Sequence, residues 1–514
     1  MTLRKHQAEV VAACREILDG SPIREIILSV TPGGGKSFVP VILADNLIPA
    51  VVEKLCWVVP RNALKYQGEA EFLNARWGTS CRIRAVDGPQ ELSRGCDGFI
   101  TTYQAVGQNP EAYAAEFRKH RYILFLDEFH HVAQGSEWHM AFRGMVCNAA
   151  LVVKASGTLS RGDGEKIAFL QYKANGTPDL SDCSIQRCIT YSRSQAIRDG
   201  AILRVEFKTV DGTSEWEELD GTRLTSNLSG EESAKALFTA LRTEFADQLL
   251  EAALQEFMEI GGAYPAAKML VVAPNIGIAK AYYDYLAREG LFTRIATSAD
   301  TPAARRNIED FKRGVYHTLV TVAMAYEGLN VPEVSVICCL THIRSVPWLE
   351  QCFARANRPA PGKPRAVVYA PADWSFKKAV RMIEQEQAVP ANADDQLEFG
   401  TAGQEPGEGG GEPRPWIIPV GSQAHIDGVR QNSVPAEKLP PCTPSEAEKI
   451  LRKNIHSAVS EYLDSQRPGA RQAQQKILYR RMRTIVNKPV PEMSQAELEK
   501  VWLWVREVYG AVKV

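Results

Sequence analysis

Thr31-Pro32-Gly33-Gly34-Gly35-Lys36-Ser37 constrains this chain more than any other stretch. An apolar run, Ile26-Ile27-Leu28-Ser29-Val30, leads into it, and a segment with helical spacing, Phe38 to Leu47, leads out. Strand, glycine turn and helix in that order begin an open α/β sheet. The glycines let the backbone curl until its N–H groups face one point, and the helix start adds its positive end there. Such a concavity suits a phosphate group. Lys36 is placed to reach the outer phosphates of a nucleotide, and the Ser37 hydroxyl to ligate Mg²⁺. Val30 stands where the general form of this loop has glycine, so the fit is to a tighter variant. The same residues also fit a plain glycine turn with a solvated lysine.

A chain of 514 residues is too long for one core and suggests about three domains. Its net charge of −1 excludes a globally basic nucleic-acid coat but is compatible with a local basic groove. None of the 11 cysteines falls in a Cys-x-x-Cys pair, and Cys338-Cys339 sit in an apolar run. Neither a zinc ribbon nor a disulfide framework is expected, and a reducing, cytoplasmic setting is. The opening Met1-Thr2-Leu3-Arg4-Lys5-His6-Gln7 has no apolar signal region, and Asp45, Asn46 and Pro49 interrupt the apolar stretch beyond the loop. No membrane span is expected.

Several other strand-like runs in the first half end in polar residues. Leu55 to Val59 ends at Pro60-Arg61, and Phe99 to Tyr103 carries Thr101-Thr102. Tyr122 to Leu126 runs into Asp127-Glu128-Phe129-His130, and Leu151 to Ala155 into Ser156-Gly157-Thr158. Open parallel sheets build their sites at such strand ends. Asp127 fits a Mg²⁺ partner, acting through water where the metal keeps its shell, and Glu128 fits the group that orients and deprotonates an attacking water. A solvated acidic turn is the plainer alternative. Pro60, Arg61, Thr101 and Thr102 fit a surface gripping a sugar–phosphate backbone, and equally an ordinary strand-to-helix loop. Gln7, before a helix over 8–18, fits an adenine reader, since its amide donates and accepts, or a helix start. Ser156 and Thr158 are placed to hydrogen-bond the acidic pair.

A second β/α series follows. Residues 231–260 have helical spacing; Met269 to Ala273 is a strand ending at Pro274-Asn275; Phe292 to Thr297, Thr318 to Val322 and Val334 to Leu340 continue the sheet, and Ala366 to Ala370 closes it. The alternation predicts a parallel, doubly wound sheet. Residues 386–444, with Gln404 to Pro413 rich in Gly, Glu and Pro, read as flexible linker, although Trp416-Ile417-Ile418 is apolar enough to dock back. Thr443-Pro444-Ser445-Glu446 starts a helix, and a small helical domain is expected over 445–514. Between Arg467 and Lys488 stand seven basic residues and no acid, either a phosphate-contacting patch or a solvated helix face over Leu478, Met482 and Ile485. Trp502 and Trp504 read as core.

In this order the motifs resemble those of a superfamily 2 DExD/H-box helicase. The resemblance covers residues 1–385 and takes in Thr321 to Asn330 as the family's fifth motif and Gln351-Cys352-Phe353-Ala354-Arg355-Ala356-Asn357-Arg358 as its sixth. Asn330 replaces the fifth motif's Asp, and Ala354 the sixth motif's Gly. The resemblance implies an α/β fold of two tandem RecA-like parallel-sheet domains, 1–190 and 191–385, ahead of the linker and the C-terminal α-helical domain. ATP and Mg²⁺ are implied between the two. Nucleotide contacts fall to Gln7, Thr31, Gly33, Gly34, Gly35, Lys36, Ser37, Asp127 and Gly328, and metal contacts to Ser37 and Asp127. Catalysis falls to Glu128, Lys36, Gln351, Arg355 and Arg358. Gln351, Arg355 and Arg358 are expected on one helix face, at i, i+4 and i+7, with Arg358 the first choice of arginine finger. Nucleic acid falls to Pro60, Arg61, Thr101, Thr102, Pro274, Asn275 and Thr321.

The activity implied is that of an ATP-dependent helicase or translocase on single-stranded or tailed duplex DNA. DNA is favoured over RNA because the acidic tetrad is not Asp-Glu-Ala-Asp and the sixth motif is closer to restriction-type relatives. An ATP-gated clamp that does not unwind, and the motor subunit of a restriction or defence complex, fit the same site. Residues 445–514 are the expected contact for any protein partner.

Overall fold

The computed structural model describes residues 3–92, 95–159, 165–218, 220–297, 301–322, 329–388 and 417–426, and beyond them 452, 455, 471–486, 488–494, 497–498, 500–501 and 504–505. Residues 1–431 form one compact unit and residues 432–514 another.

The first sheet of the larger unit is seven-stranded and all parallel. Its strands are β1 (Glu25–Val30), β2 (Lys54–Val59), β3 (Ile83–Ala85), β4 (Gly98–Thr102), β5 (Tyr122–Asp127), β6 (Leu151–Ser156) and β7 (Gln186–Tyr191). They lie in the order β3-β4-β2-β5-β6-β1-β7. Helices cover both faces, so the central strands are apolar throughout rather than alternating, and β5 and β6 are buried at every residue. One apolar cluster, with Ile26, Leu28, Trp57 and Phe125, fills one side, and another, with Tyr103, Leu124 and Phe142, fills the other. Register places Asp127 beside Ala155, and Ser156 beside Ser29. The C-terminal ends of β5, β6 and β1 are therefore neighbours, which sets up the site.

Next in the chain come β8 (Val205–Val210), β9 (Gly212–Glu218) and β10 (Arg223–Asn227). Then follow β11 (Lys268–Ala273), β12 (Thr293–Ala296), β13 (Thr318–Val322), β14 (Val334–Cys339) and β15 (Ala366–Pro371), with β16 (Ile417–Ala424) last. The second parallel sheet has the order β12-β13-β11-β14-β15-β8. The sequence expectation that Ala366–Ala370 closes this sheet is corrected, because β8 pairs beyond β15 as the edge strand. Half-exposed Glu206 and Lys208 suit an edge and disguise β8 in the sequence.

An antiparallel sheet, β10-β9-β16, packs on this second lobe. Its hairpin turns at Asp220-Gly221, where Gly221 has φ +86°. Within the stretch expected to be linker, residues 417–424 are instead a strand. Ile417 is buried, the Ser422 N–H donates to Glu244 (3.0 Å), and the Ser422 hydroxyl accepts from the Phe245 N–H (3.0 Å). Pro419 is tolerated because β16 is an edge strand with a register shift between Pro419 and Gly421.

In the smaller unit, the helix Arg471–Val486 packs Leu478 and Met482 against Ile455, Val490, Met493, Leu498, Val501 and Val505. Arg480, Arg481 and Arg483 are exposed, and Trp504 rests against the core. Trp502 and the Ser445 helix start lie outside the described residues. No described helix is long and apolar enough to cross a membrane.

The two lobes of the larger unit meet at a buried charge cluster. Arg193, on the helix Arg193–Arg198 after β7, donates to Glu386 at 2.8 Å. Glu350, on the helix Val346–Phe353, lies in their field, and burial followed by the Glu386 charge pushes its carboxyl up from 4.5 to about 7 against the pull of Arg193. A folded carboxyl that titrates above its unfolded value binds more protons folded than unfolded. This contribution to stability is therefore present at low pH and is lost as pH rises from 4.5 through about 7. Glu350→Gln is expected to flatten that part of the pH profile and to stabilise the chain at pH 8 by about 1–3 kcal/mol. Urea unfolding of both proteins at acid and alkaline pH checks it. Equal slopes would contradict it.

A candidate nucleotide site at the junction of two sheets

The glycine loop leaves β1 as a tight turn, with the Gly34 N–H donating to the Thr31 carbonyl at 2.8 Å. Gly33 and Gly35 hold φ of +87° and +90°, values open to glycine at little cost. A Cβ on Gly34 would stand 2.6 Å from a Val30 methyl carbon, so the loop folds on itself too closely for a side chain there. Lys36 to Phe38, with Ser37 between them, form a 3₁₀ turn, and the helix Val39–Leu47 starts one residue later than its spacing suggested.

Lys36 Nζ lies 3.0 Å from Asp127 Oδ1 and also pairs with Glu128. Burial opposes its charge, but the two carboxylates win and hold its pKa above the ordinary value. Burial likewise opposes the Glu128 charge, yet Lys36 and His130 hold that carboxyl well below the usual range. Asp127 goes the other way, raised by burial and by Glu128 against Lys36. Glu128 is thus the more readily ionised of the two. Its backbone sits at φ +51°, ψ +45°, a left-handed conformation that costs a non-glycine residue about 1–2 kcal/mol. The tertiary contacts of the strand end offset that cost. Glu128 Oε2 is 3.4 Å from the Gly157 N–H nitrogen, 3.5 Å from the Ser156 hydroxyl and 3.3 Å from His130 Nδ1. His130 Nδ1 is in turn 2.8 Å from Ser156 Oγ. The Tyr103 hydroxyl donates to the Asp127 carbonyl at 2.5 Å.

Gln7 is buried against the loop. Its Nε2 donates to the Gly35 carbonyl (3.2 Å) and its Oε1 accepts from the Arg4 N–H (3.1 Å), so both ends of the amide bond the protein. Arg4 Nη1 reaches the Gly33 carbonyl at 3.4 Å. The Thr31 hydroxyl is buried with no hydrogen-bond partner among the described residues.

Among the described residues, Asn357 is the second-lobe side chain that hydrogen-bonds this loop. Asn357 is fully buried, and its Nδ2 donates to the Pro32 carbonyl at 3.2 Å. Its Oδ1 stands 2.8 Å from where a Cβ on Gly33 would be. Its carbonyl accepts from the Leu203 N–H at 2.6 Å. The expected shared helix face does not form. The helix Val346–Phe353 carries Gln351 but ends before Arg355 and Arg358, and Pro359 keeps Arg358 itself out of helical backbone. Arg355 Nη1 donates to the Leu329 carbonyl (3.1 Å), and Arg358 donates to Asn330, the residue standing in for the family's Asp. Burial, with the Arg355 charge, lowers the Arg358 guanidinium to about 9, which leaves it protonated at neutral pH. Gly328 lies outside the described residues.

The expected nucleic-acid residues divide. Arg61 is exposed at the start of the helix Asn62–Leu73, next to half-buried Pro60. Thr101 and Thr321 are fully buried, bonded to Tyr113 Oη (2.9 Å) and the Val322 carbonyl (2.9 Å), so neither hydroxyl faces a surface ligand here. Thr102 and Asn275 cap helices, accepting from Ala105 N (3.2 Å) and Ile278 N (3.0 Å), beside buried Pro274. Sequence reasoning did not place Arg4, Tyr103 or Asn357 in the site. Each acts through contacts between distant segments that no local pattern announces.

Two parallel sheets, a glycine-loop lysine paired with strand-end acids and the motif series of the first lobe give this chain the fold and motif order of superfamily 2 helicases. Within that class, residues 1–161 match the family described as "Type III restriction enzyme, res subunit". The chain is similar to the uncharacterized protein Rv2917 of Mycobacterium tuberculosis, 28% identical over 350 residues, or 66% of this chain and 57% of that protein. It also resembles ML1624 of Mycobacterium leprae, 26% identical over 355 residues, covering 68% and 59%. The match thus spans less than two thirds of these relatives' length. UvrABC system protein B of Leptospira biflexa is 32% identical over 113 residues, covering 21% and 17%. Among solved structures, the ATP-dependent Type ISP restriction-modification enzyme LlaBIII bound to DNA shares the fold at a TM-score of 0.52 and 13% identity, covering 99% of this chain and 40% of that one.

Proposed function

We propose that this chain is an ATP-dependent nucleic-acid motor, with DNA the favoured track, in which ATP draws the two lobes together and hydrolysis releases them. The observation that carries the reading is the pairing of Lys36 with Asp127 and Glu128 on one lobe, directly beside a loop that Asn357 of the other lobe grips. Neither lobe holds both halves.

The residues fit Mg-ATP. The glycine loop is too crowded for side chains at Gly33, Gly34 and Gly35, so its backbone is what a phosphate would meet. Lys36 carries a well-held positive charge, and Ser37 and Asp127 supply the oxygens a Mg²⁺ ion takes. The metal would neutralise phosphate charge. Lys36 would exchange its carboxylate partners for phosphate oxygens. Glu128, ionised and oriented by Gly157, Ser156 and His130, would take the proton of the attacking water. Arg355 and Arg358 would swing from Leu329 and Asn330 to the phosphates, an interaction worth about 10³-fold in rate. Exposed Arg61 would contact the phosphodiester backbone, which gives affinity without sequence preference.

Strand displacement on a tailed DNA duplex tests the motor directly. ATP-dependent release of the strand is expected. ATP consumption that leaves the duplex intact would instead establish a clamp. A second reading, the motor subunit of a restriction-type assembly, is favoured by the family matched over 1–161. Among the described residues no group of three or more His, Cys, Asp and Glu could hold a metal ion, so on this reading cutting would fall to a partner. Copurification of a nuclease from the native host tests that.

A further inference from the structure

We propose that Lys363 is a positioning residue for ATP hydrolysis, fixing the segment 355–358 so that its two guanidinium groups can reach the phosphates. The inference rests on the role given to Arg355 and Arg358 above. Ala360-Pro361-Gly362-Lys363 is a turn closed by the Lys363 N–H on the Ala360 carbonyl at 3.1 Å, with Gly362 at φ +81°. Proline second and a positive-φ glycine third are the requirements of a type II turn. The turn sends the Lys363 side chain back beneath the segment the chain has just left.

There Nζ meets four backbone carbonyls, those of Ala356 (2.7 Å), Arg358 (2.8 Å), Pro332 (2.8 Å) and Val334 (2.6 Å). The side chain is buried, with the residue 8% exposed. Burial, with the Arg358 charge acting against Glu333, lowers this amine to about 7. Protonated it offers three hydrogens to the four carbonyls, whose dipoles favour the charged form, and neutral it still offers two. Two of the carbonyls belong to the arginine-bearing segment. The other two belong to the start of β14, just after Leu329 and Asn330, on which the guanidinium groups now rest. One buried amine therefore ties the backbone that carries the arginines to the backbone that parks them.

The tie matters because segment 354–360 has neither helix nor strand. Arg355 and Ala356 make single turn bonds back to Cys352 and Phe353 (both 3.1 Å), and Asn357 accepts from Leu203. Lys363 contacts carbonyls, so it acts on the reaction through the arginines. A misplacement of about 1 Å at a catalytic group can cost on the order of 10²-fold in rate.

The test uses the full chain and steady-state ATP hydrolysis. Lys363→Met keeps an unbranched side chain as far as Cε and removes the amine with its hydrogens. Its kcat is expected to fall on the order of ten- to a hundred-fold while KM for ATP stays within about threefold. The triple variant Lys363→Met/Arg355→Ala/Arg358→Ala is expected to be no slower than Arg355→Ala/Arg358→Ala, because both sets of changes disable the same two groups. Losses that multiply, or a full-rate Lys363→Met beside a slowed Arg358→Ala, would overturn the proposal and leave the arginine reading standing. A full-rate Arg358→Ala would overturn both. Should Lys363→Met fail to fold, Gly362→Ala strains the same turn with the amine present and a methyl group accommodated 3.6 Å from Tyr264. It is expected to show the same split of kcat from KM at smaller size, and an unchanged kcat would overturn the proposal.

Discussion

Glu128→Gln is expected to lower ATP turnover on the order of 10³-fold while the protein still binds ATP. The substitution is isosteric. The amide oxygen can still accept from the Gly157 N–H and the Ser156 hydroxyl, which lie 3.4 and 3.5 Å from Glu128 Oε2. What it cannot do is take a proton. The carboxyl it replaces is held well below the usual range by Lys36 and His130 against the effect of burial, so it is ionised at any working pH. Binding should be unchanged or tighter, since phosphates would meet one negative charge fewer beside Lys36. Single-turnover hydrolysis and titration with a fluorescent nucleotide separate the two effects. Turnover above a tenth of wild type would exclude Glu128 as the base.

Lys36→Ala is expected to fail differently. ATP affinity should fall at least about tenfold, because the cation that meets the outer phosphates is gone. Stability should fall as well, by about 3–5 kcal/mol, the cost of removing one partner from a buried ion pair. Asp127 and Glu128 would then face each other without a cation between them. Both carboxyls would titrate higher than in the unfolded chain, so the lost stability should grow as pH rises through their new values and shrink in acid. Adding Glu128→Gln to Lys36→Ala removes one of the stranded charges and should recover part of the stability but none of the activity. Melting curves of the single and double variants at two pH values check this. A Lys36→Ala protein as stable as wild type at alkaline pH would show that the three charges are not coupled as the distances imply.

Much of this arrangement is legible in the residues. Tyr122–Asp127 and Lys268–Ala273 read as strands because burial on both faces leaves unbroken apolar runs. Lys36, Asp127 and Glu128 stand at strand ends, where position alone brings them together. The hairpin over 212–227 carried a signal, Asp220-Gly221 between alternating residues. Its third strand, β16, lies nearly two hundred residues on in sequence, across the second parallel sheet, and no local pattern reveals such a pairing. The helical spacing of Gln351, Arg355 and Arg358 misled because periodicity outran the helix, which already stops at Phe353; Pro359 excludes only Arg358 from it. Thr101 and Thr321 misled for another reason. A hydroxyl near a strand end looks available until the fold shows which side of the sheet it faces. Asn357 carries no motif role at all, yet it is the side chain that crosses to the phosphate loop.

The central claim, that hydrolysis is coupled to a nucleic-acid track, is tested most directly by the steady-state ATPase rate with single-stranded DNA, duplex DNA and RNA added separately. DNA is expected to raise the rate on the order of tenfold or more over the protein alone, and RNA less. A rate that is the same with each nucleic acid and with none would contradict the account.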